Sequence, residues 1–136
     1  MPTGMTKDVG WQAGASRTLP WSREQAWAAL LSPAGLAAWL GRVEALPSEV
    51  GQDYRTADGT TGELRSLRPH DQVRLTWQPA GRGAPATLQV ALSDGARGTV
   101  VRLHAERLDD DEERGRVLAR FSAALDALAA LTVVSR

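Results

Sequence analysis

The side chains best suited to move protons or grip an anion are Tyr54, Glu63, Arg65, Arg55 and two histidines, His70 and His104. Glu63 and Arg65 share parity on one expected strand, and Arg55 falls on the strand beside it. Together they could give a pocket a polar end that anchors a ligand carboxylate. The plain alternative is a cross-strand ion pair, which is worth little at a surface. Tyr54 needs a polar partner if its hydroxyl is buried. His104 follows the parity of Val100 and Arg102, opposite Val101 and Leu103, and no carboxylate stands at a spacing that would make it a general base. His70 falls in a turn and is expected to be exposed. No catalytic set emerges: Ser16, Ser22 and Ser32 occupy no nucleophile elbow. Gly81-Arg82-Gly83 is too short for a phosphate loop, and the acidic run from Asp109 to Glu113 lacks the spaced ligands of a calcium loop.

Composition narrows the chemistry further. The 136 residues suit one domain, and 43% hydrophobic content with five tryptophans is enough for one core. Formal net charge is zero and the arginines are dispersed, which argues against a nucleic-acid surface. With no cysteine and two histidines, thiolate and histidine-rich metal sites are excluded, and no cofactor is expected. No stretch approaches the roughly 20 apolar residues of a membrane span. The first residues carry no apolar signal core, so a cytoplasmic protein is the expectation.

The elements that must position these groups follow from local pattern. Residues 1–10 are expected to be loose, with a first strand from Trp11 to Leu19. Ser22 and Gln25 form a capping box ahead of a helix whose buried face is expected at Trp27, Leu30 and Leu31. Ser32-Pro33 opens a second, short helix holding Leu36, Trp39 and Leu40, which Gly41 ends. Val43 to Leu46 is a weak strand candidate. Strands then follow at Gly51 to Thr56, Gly62 to Arg68, Gln72 to Gln78, Ala86 to Ser93 and Thr99 to Glu106, joined by short turns such as Asp58-Gly59 and Asp94-Gly95. Leu64 and Leu67 lie three apart, so both can face inward only across a bulge. From Asp110 or Asp111 an amphipathic helix of about 22 residues, roughly 33 Å, is expected. Its stripe is Val117, Phe121, Ala124, Leu125, Leu128 and Leu131. This helix is the one lid long enough for the apolar face of the sheet, and the space between them is the expected site of function.

Several segments stand in a familiar order: Trp27-Ala28-Ala29-Leu30, Trp39, Gly51, Gly62-Glu63-Leu64, Leu75-Thr76-Trp77 and Gly98-Thr99-Val100-Val101-Arg102-Leu103-His104. From about Ala13 to Leu131 the chain resembles the START-like, or SRPBCC, superfamily. It is most similar to the branch named after the activator of the heat-shock-protein-90 ATPase. The resemblance implies an α+β helix-grip fold: a curved antiparallel sheet around a long C-terminal helix, with two short helices after the first strand, as a single domain over residues 11–136. Many relatives carry Gly-Trp inside the last helix where this chain has Arg120-Phe121.

The resemblance also implies a cavity between that helix and the sheet for a small apolar ligand. Its expected lining is Trp39, Tyr54, Trp77, Val90, Phe121 and Leu125, with Glu63 and Arg65 as a polar end. Each aromatic has a plain alternative as core packing. A monomeric or homodimeric ligand-binding protein is the leading expectation. The alternatives are a polyketide cyclase or dehydratase using Tyr54, Glu63, Arg65 and His104, and a co-chaperone-like activator of a chaperone ATPase.

Overall fold

The computed structural model describes residues 5–6 and 10–131, with side chains from Gly10 onward. Its elements in chain order are β1 (Met5–Thr6), β2 (Gly10–Leu19), α1 (Arg23–Leu31), α2 (Pro33–Trp39), β3 (Asp53–Arg55), β4 (Thr61–Arg68), β5 (Gln72–Trp77), β6 (Ala86–Gly95), β7 (Gly98–Leu108) and α3 (Asp111–Ala129). The strands form one antiparallel sheet in the order β1-β2-β7-β6-β5-β4-β3. Part of the segment expected to be loose is thus paired: Met5 and Thr6 lie against Trp11 and Gly10. The rest of residues 1–9 lies outside the described residues.

Local chemistry sets the helix ends. Ser22 Oγ accepts from Gln25 N at 3.1 Å while Gln25 Oε1 accepts from Ser22 N at 3.0 Å, completing the capping box. Ser32 serves two helices at once. Its hydroxyl donates to Ala29 O at the end of α1 and accepts from Gly35 N at the start of α2. Trp39 ties α2 back onto α1 through an Nε1–H bond to Leu30 O at 2.9 Å. The acidic run is a helix start: Asp110 accepts from Glu113 N, and Glu113 accepts from Asp109 N.

One face of the sheet is apolar in continuous rows. Leu64, Leu75, Leu88 and Ala105 are successive cross-strand partners, as are Leu67, Val73, Val90 and Leu103. Both rows include β4 because the register shifts between Leu64 and Ser66, a bulge that turns Leu64 and Leu67 to the same side. Over this face α3 packs against β2, β7 and α2, while α1 packs against β6 and β7. The buried face of α3 is Val117, Phe121, Ala124, Leu125 and Leu128.

Four expectations need correction. Residues Val43 to Leu46 form no strand. The buried face of α1 is Ala26 and Leu30, and Trp27 is half-buried, edge-on to His70 with ring centroids 6.2 Å apart. Trp27 sits about 100° around the helix from Ala26, which carries it off the inward face. β6 continues through Gly95, so its turn to β7 falls at Ala96-Arg97. α3 has 19 residues, shorter than expected, and Leu131 lies beyond it, half-buried.

Candidate functional site

Because α3 lies over β2 and β7, it leaves the β3–β5 end of the sheet less directly covered. Arg120 bridges the gap. Its Nη2 donates to Leu40 O, just past α2, at 2.9 Å. Its guanidinium carbon stands 5.4 Å from the centre of the Trp77 ring on β5, a cation–π arrangement. Trp77 is 5% exposed, and its buried Nε1–H has no acceptor among the described residues. Next to this junction is an open hollow of about 550 Å³. Trp77 and Val117, both core residues, supply its apolar part, with Arg116 and Arg120 on α3 and Arg82 in the β5–β6 loop around it.

Arg82 closes one rim. Nε and Nη2 donate to the two carboxylate oxygens of Glu113 at 2.8 and 2.9 Å, and Nη2 also donates to Arg107 O at 3.0 Å. Asp109 Oδ1 is 3.3 Å from Nη2, and Nη1 donates to Ala84 O. The Arg82 and Glu113 side chains are 7% and 14% exposed. Sequence reasoning dismissed Gly81-Arg82-Gly83 as a phosphate loop and found no other role for it. Here its arginine locks the loop to the start of α3.

Tyr54 lies on β3 opposite Gly62. Its hydroxyl donates to Thr76 O at 2.7 Å, which supplies the partner a buried phenol needs. A Cβ at Gly62 would lie 2.0 Å from Thr76 O and 2.6 Å from the Tyr54 ring, so only glycine lets the tyrosine cross here. Burial pushes the Tyr54 phenol well above its ordinary value, with the nearby charge of Arg120 a smaller opposing effect. The phenol therefore stays protonated at neutral pH and acts as a donor. Tyr54→Phe should cost about 1 kcal/mol of stability in urea unfolding, the net worth of one such bond.

The other expected site residues divide between two places. Trp39, Val90, Phe121 and Leu125 join Tyr54 and Trp77 in one continuous buried cluster. Glu63 alternates with buried Leu64 and so belongs to the opposite face, while Arg65 sits at the bulge. They pair with each other at 3.2 Å, and both side chains are more than a third exposed. His104 is also on that outer face, and the expectation that it lacks a carboxylate is corrected: its Nε2 is 3.3 Å from Glu106 Oε1. Two residues along a strand share a face, so that pairing was available in the sequence. Glu106 is shared with Arg74, 3.6 Å away on β5.

A single antiparallel sheet closed by one long C-terminal helix, with two short helices after the first long strand and a hollow where helix and sheet part, defines a helix-grip protein. The chain belongs to the family described as Activator of Hsp90 ATPase homolog 1-like protein, whose model matches residues 20–132. No curated protein matches the sequence. Among solved structures, protein CV1439 from Chromobacterium violaceum is 22% identical with a TM-score of 0.74, the match covering 91% of this chain and 98% of that one. The Aha1 dimer from Colwellia psychrerythraea gives 18% identity and a TM-score of 0.68, over 87% and 92% of the two chains. DynU16, a putative protein in the dynemicin biosynthetic locus, gives 20% identity and a TM-score of 0.72 over 87% of this chain, which spans 45% of the length of that one. At these identities the likeness is one of fold. No helix among the described residues is long and apolar enough to cross a membrane.

Proposed function

We propose that this protein binds a small, mainly apolar molecule between α3 and the β3–β5 end of the sheet, entered through the hollow beside Trp77. One observation carries this reading. Two core residues, Trp77 and Val117, reach the lining of the hollow and with Pro79 make its apolar part, in a space of about 550 Å³ that falls within the usual range of small-molecule sites. Tyr54, Phe121, Leu125, Trp39 and Val90 belong to the same buried cluster but do not line the hollow itself. Glu63 and Arg65 take no part in this reading. The cyclase alternative gains no support, because His104 lies on the outer face and the Tyr54 hydroxyl is already bonded to Thr76 O. The fold shared with a protein from a biosynthetic locus makes products of such loci the first natural ligands to try.

The neutral fluorophore N-phenyl-1-naphthylamine tests the reading. Its emission should rise to saturation at one site per chain. A hundredfold excess over its dissociation constant should stabilise the fold by about 2.7 kcal/mol. Emission that never saturates, with an unchanged melting temperature, would remove the proposal.

A further inference from the structure

We infer that the hollow beside Trp77 selects ligands that carry an oxyanion, a carboxylate or sulfonate on an apolar body, and that Arg120 receives it with help from Arg116. The inference rests on the ligand-binding reading above and names the chemical class of its ligand.

The charges around the hollow are unequally committed. Arg82 is consumed by Glu113, Asp109 and two backbone carbonyls. Arg116 pairs with Glu112 at 3.1 Å, but those side chains are 64% and 85% exposed, so water and a ligand compete for the pair easily. Arg120 differs from both. It is half-buried, makes no ion pair among the described residues, and directs one donor to Leu40 O. The acid whose field reaches it, Asp58, is already engaged by the Thr56 hydroxyl and the Thr60 N–H. The rest of the Arg120 fork is therefore open, and the carbonyl and the Trp77 ring hold the guanidinium in place.

The neighbouring Trp77 Nε1–H has no acceptor among the described residues, but it is closed off from the hollow and is not among the donors a ligand would meet. The open hydrogen-bonding capacity at this junction is thus that of Arg120, a guanidinium with one hydrogen bond and no ion pair among the described residues. A ligand that fits must bring acceptors, and an anionic acceptor gains the most because hydrogen bonds to charged groups are the stronger ones. An aromatic or alicyclic body would cover the apolar side made by Trp77 and Val117.

The test uses the full chain and two probes that differ by one group. They are 8-anilinonaphthalene-1-sulfonate and the neutral N-phenyl-1-naphthylamine, titrated by fluorescence at low and high salt. The sulfonate should bind about tenfold more tightly or better. Salt should erode that advantage and leave the neutral probe unaffected. Arg120→Met should abolish most of the preference, read as the ratio of the two probe affinities within each protein. Arg120→Lys should keep part of it, and Arg116→Met should lose a smaller share. Near-UV circular dichroism checks that each variant is folded. A preference unchanged in Arg120→Met overturns the inference and leaves the ligand-binding reading standing, whereas failure of both probes to bind overturns the two together. Should Arg120→Met not fold, the unaltered chain decides: a preference that is absent or insensitive to salt overturns the inference.

Discussion

Arg82→Met is expected to lower the unfolding free energy by about 3 kcal/mol, and the melting temperature by roughly 10 °C, in denaturant and thermal unfolding. The loss arises from what stays behind. Glu113 would keep its place near the start of α3 with neither of its guanidinium bonds, and the Arg107 carbonyl would lose a donor. Removing one member of a buried pair typically costs about 3–5 kcal/mol. The lower end applies here, because both side chains border an open hollow that water reaches. Replacing both partners, as Arg82→Met with Glu113→Gln, should cost clearly less than Arg82→Met alone, since no charge is then stranded.

The same pair imposes a direction on pH dependence. The Glu113 carboxyl is held below the usual carboxylate range, first by its hydrogen bond from Arg82, against a burial effect that acts the other way. Unfolded, this group binds its proton at a higher pH than it does folded. Its contribution is therefore fully present above the ordinary glutamate value, and disappears as pH falls through the lower value of the folded protein. Stability measured from neutral toward acid pH should decline less steeply in Arg82→Met. An identical acid-side slope in the two proteins would contradict this account.

Trp39→Ala is expected to be more damaging still, by about 3–5 kcal/mol in equilibrium unfolding. The indole is 1% exposed and packs in the core, and its Nε1–H is what ties α2 to the last turn of α1. Alanine would leave a large void and an unmatched Leu30 carbonyl. Trp39→Phe separates the two effects, because it retains most of the packing. It should recover more than half of the loss, and no recovery would mean that the hydrogen bond outweighs the volume.

Much of this architecture was readable from residue order because it is local. Ser22 and Gln25 announce a helix start by themselves. Alternation from Gln72 to Trp77 fixes an inward face, and the three-residue gap between Leu64 and Leu67 demands the bulge that the register shows. The stripe on α3 needs only its periodicity. The candidate site was less legible because its contacts are long-range. Arg82 meets Glu113 across 31 positions and Arg120 meets Leu40 across 80. No local pattern marks one arginine among 15 as the one that will be locked, and another as the one left open. Trp27 misled because a large apolar residue at helical spacing looks inward, although Ala26 holds that position. The His104–Glu106 neighbour is a different matter. Same-face spacing along a strand was there to be read.

The sheet has unusual borders. At one side β3 is only three residues long. At the other, among the described residues, β2 is covered by β1 over two positions and is shifted in register near Trp11. Arg17 pairs with Val101, which places its charge on the apolar side of β2, where Asp126 of α3 meets it at 2.6 Å. A stub, a kink and an inward charge all discourage a foreign strand from templating onto the ladder. Association by extending one copy's backbone pairing onto another is thereby disfavoured at both margins, relative to contact through side-chain surfaces.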